Sequence, residues 1–217
     1  MAKSKSSKAW MREHVTDHYV KRASAEGYRS RAAYKLQQIA QKDRLLRPGM
    51  VVVDLGAAPG GWSQVARKAV GNDGLVIAVD LLEFAQVPGV LAIRGDFHDE
   101  STLQELERAL EGRPLDLVLS DMAPNLSGIA SADQARSIAL AEIALDFALK
   151  HLKPHGNFLV KTFQGAGYDG FVSMLRRSFV EVHTRKPDAS RSRSSEVYLV
   201  GKGLRNQGQG RAVAVRE

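Results

Sequence analysis

The twelve residues Val51-Val52-Val53-Asp54-Leu55-Gly56-Ala57-Ala58-Pro59-Gly60-Gly61-Trp62 constrain this chain more than any other stretch. Three valines favour a short buried strand, and an acid ends it. A turn of Gly, Ala and Pro follows, and Trp62 to Val70 then reads as an amphipathic helix. A strand that feeds a helix through a turn almost without side chains lets a ligand approach the backbone. The unpaired N–H groups at the start of that helix add polarity. The stretch predicts a nucleotide-type pocket with Asp54, Gly56, Pro59, Gly60, Gly61 and Trp62 around it.

The rest of the chain repeats the alternation. Short apolar strands are expected at Gly74–Asp80, Val90–Asp96, Leu115–Asp121 and Gly156–Phe163, with two more at Val180–Thr184 and Glu196–Val200. Helices are expected over Ser30–Ile39 (capped by Ser30), Ser101–Leu110, Ala132–Leu152 and Tyr168–Ser178, with a weaker pattern over Trp10–Ala25. Near-continuous apolar strands between helices mean a mostly parallel sheet covered on both faces. The last two strands lack a crossover helix and read as an antiparallel pair. The expected class is therefore α/β, Rossmann-like, with a seven-stranded sheet, an antiparallel edge strand and helices on both faces. Residues 10–202 form one domain in this reading, between a basic tail at 1–9 and a Gly/Gln/Arg-rich tail at 203–217.

Composition narrows the setting. With 217 residues and 44% hydrophobic residues, the chain can bury a full core. It has no cysteine, which removes disulfides, thiolate metal sites and a cysteine nucleophile. The polar, basic N-terminus does not read as a secretory signal and no apolar run matches a membrane span, so a cytoplasmic protein is expected. The net charge is +7, and the excess gathers in the first 35 residues and again over Arg185–Arg193. Two separated basic blocks point to a polyanion, of which nucleic acid is the leading candidate.

Asp54, Asp80, Asp96, Asp121 and Lys161 all fall at strand ends, where ligands of such sheets bind. One such acid is commonly a turn residue; the repetition argues for a site. The loop with Asp80 about twenty residues on would suit NAD as well. Pro59, however, lacks an N–H for a pyrophosphate, and the acids repel phosphate. A cationic ligand with ribose and adenine fits better, and S-adenosylmethionine is such a ligand. Leu81 and Phe97, next to Asp80 and Asp96, complete the candidate pocket.

Methyl transfer to pyrimidine C5 usually needs a cysteine. Transfer to a base amine typically uses an Asn/Asp-Pro-Pro-aromatic motif, and Asp121-Met122-Ala123-Pro124 has no aromatic residue. An oxygen acceptor remains, and a ribose hydroxyl needs a base or an orienting cation. Lys161 interrupts an apolar strand and is the candidate, with Lys35 as a second cation and Asp121 and Glu196 as orienting carboxylates. No metal is implied.

Five segments carry a resemblance: Ser30–Leu36, Val53–Gln64, Ser120–Asn125, Val160–Gly165 and Arg185–Tyr198. Together, in order, they resemble the FtsJ (RrmJ) family of S-adenosylmethionine-dependent ribose 2′-O-methyltransferases. The resemblance runs from about Trp10 to Gly201. It implies a Lys-Asp-Lys-Glu tetrad at Lys35, Asp121, Lys161 and Glu196, and cofactor contacts at Gly60, Trp62, Asp80, Asp96 and Asp121. It also implies an A-loop uridine of 23S ribosomal RNA as target, within the large subunit, and we expect a monomer. Arg29, Arg31, Lys35, Arg191 and Arg193 are the candidate RNA contacts. The tail after Gly201 exceeds the family core and is expected to add an RNA or ribosome contact. Methylation of tRNA or an mRNA cap, a NAD-dependent dehydrogenase, and a non-catalytic RNA-binding assembly factor are the competing readings.

Overall fold

The computed structural model describes residues 17–206 except His98, Leu126, Ser192 and Arg193. Parallel strands β1 (Val51–Leu55), β2 (Leu75–Asp80), β3 (Leu91–Arg94), β4 (Leu115–Ser120) and β5 (Leu152–Phe163) form most of one sheet. Two further strands, β6 (Phe179–Arg185) and β7 (Glu196–Leu204), complete it in the order β3-β2-β1-β4-β5-β7-β6. At that edge β7 runs antiparallel to both neighbours, slotted between β5 and the outermost β6. It continues to Leu204, which is buried in the core, two residues beyond the expected domain limit.

Six helices are described: α1 (His18–Ala25), α2 (Ala32–Asp43), α3 (Gly61–Val70), α4 (Glu100–Leu110), α5 (Ala130–His151) and α6 (Tyr168–Ser178). One of the expected helix starts differs. Ser30 does not cap α2, whose preceding residue Arg31 makes no capping bond; the Ser30 hydroxyl faces the interior close to Gly61. Ser101 lies near the start of α4 as expected, one residue after Glu100. By contrast Asp17 caps α1, accepting from the Tyr19 N–H at 2.9 Å.

Strand alternation divides the core. Val53, Leu55, Val118, Phe158 and Val160 pack on the face covered by α4, α5 and α6. Val52, Val76, Ala78, Leu117, Leu119, Leu159 and Val200 pack on the face covered by α2 and α3. Successive side chains point to opposite faces, so residues two apart share one. Asp54, Asp80, Asp121, Lys161, Glu196 and Tyr198 therefore stand on the α2/α3 side, by parity with their buried neighbours. The core is built on large side chains: Trp62, Tyr198, Phe158, Phe171 and Phe179 are each at or below 2% exposed. Truncating a phenylalanine such as Phe158 to alanine should cost about 3–5 kcal/mol.

The order reverses at β1, which is flanked by β2 on one side and β4 on the other. The crevice beyond the carboxyl ends of β1 and β4 is thus the topological switch point where ligands of open α/β sheets bind.

Candidate active site

The Gly56–Trp62 loop, expected to hold the cofactor, lies at that switch point. Gly56 and Ala57 both donate to the Val79 carbonyl, at 2.9 and 3.2 Å, and Asp121 N–H donates to the Leu55 carbonyl at 3.0 Å. These bonds bring the ends of β1, β2 and β4 together. Gly56 is required by closeness: a Cβ there would lie 2.8 Å from Met122 backbone atoms. Gly60 is required by conformation: it opens α3 at φ +105°, and a Cβ would also meet Arg29 and Val87 at 2.9 Å. The Ala58–Pro59 peptide is cis. Trp62, the largest buried side chain, donates its indole N–H to the Ala32 carbonyl at 2.8 Å, which ties α3 to the start of α2.

Three carboxylates converge around the loop. Asp80 accepts from Ala58 N–H and from Leu82 N–H, both at 2.8 Å, so it clamps the loop to the turn after β2. Asp54 is fully buried and accepts from the Ser63 hydroxyl at 2.6 Å. Among the described residues, its other oxygen has no hydrogen-bond partner. Burial, reinforced by the charges of Asp121 and Asp80 and opposed by Ser63, pushes the Asp54 carboxyl up to about 7. Leu81 and Leu82 beside them are exposed, Phe97 is buried, and Asp96 sits half-buried in the turn before α4.

The tetrad assembles as two ion pairs. Lys161, on β5, donates to the Asp121 carbonyl at 2.6 Å and lies 2.9 Å from its Oδ1. The second contact is a charge pairing off the hydrogen-bond direction, because Oδ1 receives no well-aligned donor. Lys35, on α2, donates to Glu196 Oε1 at 2.7 Å, and each side chain is 14% exposed. Burial pushes the Glu196 carboxyl up, but Lys35, Lys161 and the Ser190 hydroxyl outweigh it and hold the group below its ordinary range. In the antiparallel register Tyr198 is opposite Lys161, and Glu196 is opposite Phe163. Cross-strand partners share a face, so these four side chains form one patch. Tyr198 had no role in the sequence reading. Its hydroxyl donates to Glu196 at 3.0 Å, its ring lies 5.7 Å from the Lys35 amine, and it packs 5.8 Å from Trp62. It links the cofactor helix to the ion pairs. Strand parity was the signal that could have found it.

The expected RNA contacts fare differently. Arg29 donates to the carbonyls of Pro59 at 3.1 Å, Gln86 at 2.6 Å and Ala85, and so it pins the cofactor loop. Arg31 pairs with Asp17 and donates to the Ala189 carbonyl. Both guanidinium groups are engaged in holding the protein together. Arg191 is half-buried, and Arg193 lies outside the described residues, as do 1–9 and most of the C-terminal tail. Asp43, missed in the sequence, pairs with Arg185 through two bonds of 2.6 and 2.8 Å and fixes α2 to β6.

A buried carboxylate oxygen without a partner among the described residues and a loop without basic side chains of its own suit a cation better than a diphosphate. Among the described residues no His/Cys/Asp/Glu group could hold a metal, and no helix is long and apolar enough to cross a membrane. Fold and site together define a Rossmann-like methyltransferase. The FtsJ-like methyltransferase family profile matches residues 28–204. The chain is 62% identical over 205 residues to "Ribosomal RNA large subunit methyltransferase E" of Azoarcus sp. (strain BH72), covering 94% of this chain and all of that one. It is 58% identical to the protein of that name in Chromobacterium violaceum, with the same coverage. A solved ribosomal RNA methyltransferase of Plasmodium falciparum superposes with a TM-score of 0.74 at 29% identity, over 82% of this chain and 98% of that one. The MycE methyltransferase of the mycinamycin pathway, solved with Mg and SAH, shares the fold alone, with a TM-score of 0.52 at 18% identity over 77% of this chain and 50% of that one. The chain belongs to the FtsJ-like methyltransferase family, and its cofactor is S-adenosylmethionine.

Proposed function

We propose that this enzyme methylates a ribose 2′-oxygen in 23S ribosomal RNA of the large ribosomal subunit, at an A-loop uridine, acting in the cytoplasm as a monomer. The observation that carries the reading is the pair of ion pairs, Lys161–Asp121 and Lys35–Glu196, on one face of β5 and β7 beside the switch point. Two amines held by two carboxylates beside a cofactor pocket suit a weakly nucleophilic hydroxyl, and no cysteine is present for attack on a base carbon.

In this reading Asp80 holds the cofactor ribose, Asp96 and Phe97 with Leu81 hold its adenine, and Gly60 and Trp62 line its path. Asp54 and Asp121 face its cationic end. When bound, the cofactor supplies an electrophilic methyl group on a sulfonium. Lys161 hydrogen-bonds the 2′-hydroxyl and orients its oxygen for in-line attack, and in its neutral amine form it takes the hydroxyl proton. Asp121 fixes the Lys161 amine through two contacts, and Glu196 fixes Lys35 against the RNA backbone. Alignment contributes much of the rate, and proton removal about 100- to 10,000-fold. The relatives' name and the basic blocks support the RNA assignment.

The test is transfer of labelled methyl to large subunits purified from a strain lacking the protein, with the modified nucleotide mapped. Labelling at one A-loop uridine supports the reading. Labelling of tRNA or capped mRNA with unlabelled subunits would replace it.

A further inference from the structure

The slot expected to hold the cofactor has two backbone walls. One is the Gly56–Trp62 loop, and the other is the stretch 81–90 between β2 and β3, which contains neither helix nor strand. Among the described residues no backbone–backbone hydrogen bond runs from one wall to the other. Side chains join them instead. Asp80 accepts from Ala58 N–H on the first wall and from Leu82 N–H on the second. Arg29 makes the complementary tie through carbonyls. Its Nη1 donates to Pro59 at 3.1 Å and to Ala85, and its Nη2 donates to Gln86 at 2.6 Å.

The backbone of Arg29 is fixed as well. Its N–H donates to Gln64 Oε1 at 3.0 Å, and Gln64 Nε2 donates to the Gly27 carbonyl at 3.0 Å, which locks the chain before α2 onto α3. Glycine at position 60 leaves room for the guanidinium: a Cβ there would lie 2.9 Å from Arg29 Nη1 and 2.9 Å from Val87 Cγ2. Val87 is buried in one cluster with Ala57 and Trp62. The second wall is therefore seated in the core at Val87, and Arg29 fixes the two residues before it. An arginine on a basic chain is by default a phosphate contact. A guanidinium, however, carries five N–H groups in a rigid fork, and here three of them are engaged by carbonyls of two separate loops.

We propose that Arg29 is a positioning residue for the cofactor: it sets the separation of the two walls, and so the affinity for S-adenosylmethionine, instead of gripping RNA. The proposal rests on the placement of the cofactor between these walls in the reading above, and not on which atom receives the methyl group. The test combines calorimetry of S-adenosylhomocysteine on the full chain with filter binding of large subunits, from a strain lacking the protein, over a salt series. Arg29→Met keeps the stem and removes every donor, and should raise the cofactor Kd at least tenfold. Arg29→Lys keeps the charge without the fork, and should raise it at least threefold. In both, the KM for cofactor should rise with Kd and by a larger factor than kcat falls, while the subunit Kd and its salt slope stay at wild-type values. Should Arg29→Met fail to fold, Arg29→Lys decides alone. Wild-type cofactor Kd in Arg29→Lys, or weaker subunit binding in Arg29→Met with a salt slope reduced by about 1 and an unchanged cofactor Kd, would overturn the proposal and make Arg29 an RNA contact. Asp80→Ala separates the two levels: an unchanged cofactor Kd in that variant would overturn the placement of the cofactor, and the proposal with it.

Discussion

At the residue scale, Lys161 and Asp80 separate chemistry from cofactor binding. Lys161→Ala should retain cofactor affinity and lose about 100- to 10,000-fold in turnover. Lys161→Arg keeps a cation that can orient but not accept a proton, and should be nearly as inactive in single-turnover assays. Asp80→Ala should weaken cofactor binding in calorimetry, because its carboxylate clamps the Ala58 N–H and faces the pocket. Unchanged affinity would remove it from the pocket. Asp54 gives a pH signature. Its folded carboxyl titrates near 7, above its ordinary 3.8, so the folded protein holds a proton that the unfolded chain has released. That contribution to stability is full below about 4 and is lost as pH rises through about 7. Glu196 has the opposite sign: its folded value is lowered, and its contribution is lost as pH falls below the ordinary carboxylate range. Between pH 5 and 7.5 the wild type should therefore lose stability relative to Asp54→Asn in urea titrations. Parallel curves would show that Asp54 is ionised throughout.

At the element scale, the position of α2 decides whether Lys35 reaches Glu196. Its C-terminal residue Asp43 is buried and held by Arg185 on β6. Arg185→Leu leaves that carboxylate buried and unpaired, which should cost about 3–5 kcal/mol. The Tm should fall by several degrees in thermal melts. The elements themselves were legible in the sequence, because the buried parallel strands are continuous apolar runs ending in acids. Helix starts were less so: Ser30 is a good cap by type, but tertiary packing turned its hydroxyl inward. Lys161 stood out because it interrupts an apolar strand, and its grouping with Lys35, Asp121 and Glu196 came from the family resemblance; that the four form two ion pairs is visible only in the folded chain. Tyr198 and Asp43 were not legible, since their roles come from cross-strand register and from a contact 142 residues distant.

At the scale of the whole molecule, the two faces of the sheet divide the work. Both sides bury core, and the side under α4, α5 and α6 holds the larger cluster. The side beneath α2 and α3 adds to its own core the acids, amines and Tyr198 at the carboxyl ends of the strands. Net charge is a coarser guide, because Arg29 and Arg31 also bond carbonyls and an aspartate within the protein. Binding to the large subunit should still fall steeply with salt, given the +7 charge. A flat salt dependence in filter binding would restrict the basic blocks to solubility. The central claim concerns the atom that receives the methyl group. The direct measurement is nucleoside analysis by mass spectrometry of large subunits methylated in vitro by the wild type and by Lys161→Ala. The account predicts a 2′-O-methylated uridine with the first enzyme and almost none with the second. A methyl group on a base, or equal product from both enzymes, would contradict it.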